Sequence, residues 1–208
     1  MKISSKLGEL NYNRFKSWKK EEKTNKAALL AFQGDVYRAM KPEELSREEL
    51  EFTNDHLRIL SGLYGVIRPF DDIQPYRLEM GTPLSFKKYR NLYEYWQSKL
   101  TAYFIKELSK EENRYLINLA SVEYSKAIDI EKLSKKFDVI NVTFKEYKKG
   151  RHQVMGIYSK RARGYMARFI MENKIDRPEG IKDFDLEGYS FNTVFSSEKE
   201  YVFTANRE

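Results

Sequence analysis

The chain has 208 residues with 41% hydrophobic and 14% aromatic content, which suits one domain with a substantial core and excludes a disordered chain. It has no cysteine, which excludes disulfides and thiolate chemistry, and its two histidines, His56 and His152, stand far apart, so no metal-ligand spacing is present. The excess of 38 Lys and Arg over 31 Asp and Glu gives +7, which fits an anionic partner such as nucleic acid or a nucleotide and fits a lysine-rich surface equally well.

No apolar run approaches the roughly 18 to 20 residues of a membrane span, and no signal-peptide core opens the chain, so a cytosolic protein is expected. Residues 1–22 read as one or two short helices broken near Asn11 to Asn13. The run 27–32 is too short to decide helix against strand; a buried strand is expected, with a short helix opening at Gly34-Asp35 and running through Met40. Ser46-Arg47-Glu48-Glu49 has the capping-box pattern and starts a helix to about Leu60. A short strand follows over 64–67. Tyr89, Leu92, Tyr93, Trp96, Leu100, Tyr103 and Phe104 recur at three and four, which predicts an amphipathic helix over 89–109 with its aromatic stripe in the core. Residues 115–119 read as a buried strand, 122–128 as a short helix, and 138–147 with 153–158 as a hairpin. A helix over 159–173 and two short strands, 189–195 and 201–203, complete a single α/β domain with a mixed sheet flanked by helices.

Three polar constellations carry chemistry. Residues 57–81 hold glycines and prolines that force a defined path, on which ride Arg58, Arg68, Asp71, Asp72, Gln74, Arg77 and Glu79. Within them, Gly62-Leu63-Tyr64-Gly65 resembles the hairpin of helix-hairpin-helix DNA-binding modules, in which backbone N–H groups grip phosphate; a strand entered through a glycine accounts for it as well. Asn118, Ser121 and Glu123 mark the C-terminal end of a predicted strand where a helix begins, a favoured site for ligands and equally an ordinary capped turn. On the helix 159–173, Lys160, Arg161, Gly164 and Arg168 share a face, with Arg163 beside it; Ala162, Met166, Phe169 and Ile170 lie opposite. A glycine inside a helix costs about 1 kcal/mol, so a close phosphate, base or neighbouring backbone is expected at Gly164. No Walker A motif, nucleophile elbow or HExxH is present.

FQGDVY (32–37), HLRILSGLYGVIRPFDDIQPYRLEMGT (56–82), NLASVEY (118–124) and SKRARGYMARFI (159–170) together resemble the YaaA family of bacterial peroxide-stress proteins, from one end of the chain to the other. The resemblance implies a cytosolic protein that binds double-stranded DNA without strong sequence preference and limits free intracellular iron. It implies a helix-hairpin-helix-like element around Gly62 and Gly65, and a basic cleft mapped to Arg58, Arg68, Arg77, Lys160, Arg161, Arg163 and Arg168. It also implies a preceding segment with a strand and an S-P-A-K-T-like motif, so 1–208 reads as one domain shortened at its N-terminus. No cofactor is expected. The alternative is an enzyme acting on a nucleotide or nucleobase, with Asp71, Glu79, Asn118 and Glu123 as acid–base or orienting groups and the arginines holding phosphate.

Overall fold

The computed structural model describes residues 4–18, 25–112 and 114–206. Helix α1 (Ser5–Lys16) begins where Ser4 Oγ accepts the Leu7 N–H, and it runs unbroken through the expected break at Asn11 to Asn13. The reason is tertiary. Asn11 is turned inward, its Nδ2 donating to the Arg77 carbonyl at 3.0 Å and its Oδ1 accepting the Arg77 N–H at 2.9 Å. The expected helix beyond Trp18, up to Glu22, lies outside the described residues.

The run 27–32 is not the expected strand. Only β1 (Lys26–Ala27) is extended, and α2 (Ala28–Ala31) is a single helical turn that buries Ala28 and Leu29. The Ala28 and Leu29 N–H groups donate to the carbonyls of Asp71 and Pro69, which fastens this alanine-rich turn to the loop after residue 67. Helix α3 (Asp35–Met40) follows as expected. Helix α4 (Arg47–His56) carries both halves of the capping box, Glu49 N–H to Ser46 Oγ and Ser46 N–H to the Glu49 carboxylate. It stops at His56, short of Leu60, because β2 (Ile59–Ser61) pairs antiparallel with β3 (Gly65–Ile67). Strand β4 (Asp72–Ile73) then pairs with β1. Helix α5 (Leu92–Leu108) is capped by the Asn91 side chain and packs Leu100 and Phe104 into a core cluster, with Trp96 and Tyr103 against it.

The main sheet holds β5 (Tyr115–Asn118), then, after α6 (Val122–Ser125) and α7 (Ile130–Ser134), the long β6 (Asp138–Lys148) and β7 (Arg151–Gln153). Helix α8 (Gly156–Glu172) precedes β8 (Tyr189–Phe191) and β9 (Glu200–Asn206). The order is β5-β6-β9-β8 with β7 also on β6; β5–β6 and β6–β9 are parallel and the other pairs antiparallel. This is the mixed, helix-flanked sheet expected. The expected second hairpin strand is displaced: β7 ends at Gln153, and residues 156–158 belong to α8. Along β6 the buried side chains alternate, so Ile140, Val142 and Phe144 pack with Ala162 and Met166 of α8, while Val139 faces Leu100, Phe104 and Leu133.

Candidate functional site

At the C-terminal end of β5 the Asn118 amide donates to Asn141 Oδ1 across the strand pair at 2.8 Å, and its own Oδ1 accepts the Ala120 N–H. This locks the turn into α6. Ser121 occupies the N-cap position without a side-chain capping bond. Glu123, in the first turn, accepts the Gly81 N–H at 2.8 Å and so ties the loop after Met80 to the strand end. Burial pushes the Tyr124 phenol up, and the charges of Glu123 and Glu79 push it further. Tyr37 is raised by burial and by its neighbours Tyr76 and Tyr124; Tyr76 is raised mainly by burial and hydrogen-bonds Ser61 Oγ. Three neutral phenols, Tyr37, Tyr76 and Tyr124, therefore stand together beside Glu79 and Glu123. Such groups can donate hydrogen bonds and orient a polar ligand at neutral pH.

Helix α8 forms the facing wall. Its side chains Ala162 and Met166 pack on the sheet, whereas Gly164, Ala167 and Met171 face α3 and its surroundings. Helical projection puts Ser159 and Arg163 on the seam between those two stripes. Leu119, the first residue after β5, packs into both clusters, and Tyr37 packs with Ala167 in the second. The strand-end turn and Tyr37 thus both pack against the core clusters that α8 fills.

The seven cations do not form one cluster. Arg58 donates to Tyr103 Oη and to the carbonyls of Asn54, Asp55 and Leu57, finishing α4, and it faces Glu107 together with Arg68. Arg77 pairs with Glu79 at 2.8 Å. Arg161 meets Tyr165 and Glu187. Arg168 closes the C-terminal end of α3 through the Met40 and Lys41 carbonyls and pairs with Glu44 and Glu172. Lys160 and Arg163 differ. Neither has a carboxylate partner among the described residues, and Arg163, in the interior seam, is held below the usual guanidinium range by desolvation alone. Asp71 receives the Arg68 N–H and shapes the turn before β4, on the β1–α2 side of the loop.

The glycines have packing reasons. Gly65, at φ +83°, lies flat on the Trp96 ring, and Gly62 abuts the Leu78 carbonyl while accepting the Trp96 indole N–H. The Leu63 and Tyr64 N–H groups of this β-turn are taken by Ser61 Oγ. Gly164 meets the Val36 carbonyl of α3, so a neighbouring backbone is what the missing Cβ admits. Ser159 is 1% exposed, and its Oγ has no partner among the described residues; in the sequence its only signal is its place four residues before Arg163.

A cavity of about 570 Å³ lies at the opposite, N-terminal ends of β5, β6 and β9, lined by Tyr115, Asp138, Lys182 and Tyr201 among others, and none of the candidate site residues borders it. Among the described residues no three His, Asp or Glu side chains stand together as a metal site, and no helix is long and apolar enough to cross a membrane.

The family model described as peroxide stress protein YaaA matches residues 1–194. The chain belongs to the YaaA peroxide-stress family. It is 47% identical over 205 residues to a UPF0246 protein of Clostridium botulinum (strain Eklund 17B / Type B), covering 98% of this chain and 80% of that protein. A UPF0246 protein of Caulobacter vibrioides (strain NA1000 / CB15N) is 46% identical over 98% of this chain and 79% of its own length. One from Acaryochloris marina is 45% identical, covering 99% and 81%. Of the motifs that carry the resemblance, 32–37, 56–82 and 118–124 supply Tyr37, Tyr76 and Tyr124 in turn, and 159–170 forms most of α8.

Proposed function

We propose that this YaaA-family chain acts in peroxide-stress protection as a cytoplasmic DNA-binding protein. It takes double-stranded DNA without strong sequence preference and limits free intracellular iron and the oxidative DNA damage that iron causes. The observation that carries the reading is the pair of cations, Lys160 and Arg163, without carboxylate partners among the described residues, on one helix of a chain with net charge +7. Phosphate contacts of this kind bind all sequences alike and release counterions, so affinity falls steeply with salt. The test is duplex binding across a salt series for the parent chain and for Lys160→Glu combined with Arg163→Gln. Weaker binding to every sequence, with a shallower salt slope, is expected; no duplex binding at low salt, or binding indifferent to both substitutions, overturns the reading. A cellular arm measures labile iron after peroxide with and without the protein, and unchanged iron removes that part of the proposal.

A second reading, an enzyme acting on a nucleotide or nucleobase, is favoured by the half-buried phenols Tyr37, Tyr76 and Tyr124 beside Glu79 and Glu123. Phosphate gripping needs no such set. Turnover of a nucleotide that Glu123→Gln abolishes would favour it.

A further inference from the structure

Arg163 and Ser159 stand one turn apart on α8, and a helical side chain leans toward the N-terminus, so the guanidinium lies over the turn that carries Ser159 and Lys160. The arginine is half-buried, with no hydrogen bond or ion pair to any described residue, and its Nε is sealed from solvent. Ser159 is 1% exposed and its Oγ has no partner either. A partly desolvated cation one helical turn from an unsatisfied hydroxyl is costly for the empty protein, and an anion with several acceptor oxygens can satisfy both groups at once. Three features set the kind of anion. Ser159 and Arg163 project between the sheet-facing and α3-facing stripes of α8, Lys160 is exposed with no carboxylate partner among the described residues, and no side chain caps the N-terminus of α8 nor does any acidic residue occupy its first turn. An internal phosphodiester in a duplex carries one charge and is flanked by sugars on both sides, so it stays at the surface. A phosphomonoester projects from a chain end, carries close to two charges at neutral pH and offers three acceptor oxygens.

We propose that the Ser159–Arg163 niche binds a phosphomonoester, with Lys160 at its mouth. This deepens the DNA reading by naming which phosphate is taken, and it rests on that reading only for DNA ends; a free nucleotide monophosphate presents the same group. The niche would direct the protein to phosphate-bearing strand ends, the kind of lesion that oxidative cleavage of DNA leaves.

The test uses the full chain, a short blunt duplex carrying either 5′-phosphate or 5′-hydroxyl ends, and thymidine monophosphate against thymidine. The parent protein is expected to prefer phosphorylated ends by about tenfold or more, the scale of a charge-assisted hydrogen-bond pair. Arg163→Gln and, separately, Ser159→Ala should erase that preference, while Lys160→Gln weakens both duplexes. Binding of thymidine monophosphate as strong as that of the phosphorylated end assigns the niche to free nucleotides. Monophosphate binding that depends on Arg163, with no duplex bound at all, keeps the niche and sinks the DNA reading. Equal affinity for both ends with no monophosphate binding overturns the niche, as does a preference that survives both Arg163→Gln and Ser159→Ala. Arg163→Met serves as the folding control: removing an uncompensated charge should leave the apparent melting temperature of the ligand-free protein unchanged or raised.

Discussion

Asn11 shows how one side chain does the work of a strand. Its amide offers a donor and an acceptor at the spacing of a backbone, and both are used by Arg77, 66 positions away. Removing it leaves the Arg77 N–H and carbonyl without those partners at a site where Asn11 itself is 6% exposed. Asn11→Ala is expected to lower unfolding stability by about 1 to 3 kcal/mol, read from the urea midpoint at unchanged slope. A change near zero would mean that water replaces both bonds and that α1 is held by other contacts. The arginines teach the converse lesson. In a sequence, Arg58 and Arg168 look like phosphate contacts, yet each is spent on the carbonyls that end a helix, α4 and α3 respectively. Nothing in residue type separates them from Arg163, whose guanidinium has no such partner among the described residues.

At the scale of elements, the contact between α3 and α8 decides what the glycine in α8 is for. A mid-helix glycine normally gains about 1 kcal/mol when replaced by alanine. Here a Cβ would strike the Val36 carbonyl and crowd Ala39, so the two helices must move apart. Gly164→Ala is therefore expected to destabilise the protein, by about 1 to 3 kcal/mol after the propensity gain, in thermal or urea unfolding. A more stable variant would show that the helices are not in backbone contact. The capping box of α4 and the aromatic stripe of α5 belong to the same scale and were legible beforehand, because both are rules about residues three and four apart. The alanine-rich turn α2 was not, since its conformation follows from two hydrogen bonds to a loop about forty residues onward. The end of α4 at His56 was missed for the same kind of reason, its continuation being claimed by the β2–β3 pair.

For the whole molecule, the half-buried tyrosines set the alkaline limit. Burial raises the Tyr37 and Tyr76 phenols above their ordinary value near 10, so the folded state holds their protons more tightly than the unfolded one. The sign follows directly. Their contribution is complete below about pH 10 and is lost as pH rises beyond it, because the unfolded chain ionises first. Stability measured by urea unfolding should fall steadily above about pH 10, and Tyr37→Phe combined with Tyr76→Phe should flatten that limb. An alkaline limb as steep in the double variant as in the parent would assign the loss to other groups.

The sequence by itself determined the class of fold, the long amphipathic helices, their caps and the family. These follow from periodicity, from local capping chemistry and from motifs long enough to mark a family. Only the tertiary structure decided which polar residues are free to act. A charge is spent or available according to the partners that folding brings to it, and those partners lie far away along the chain: Glu107 for Arg58 and Arg68, Glu44 for Arg168, and none among the described residues for Arg163.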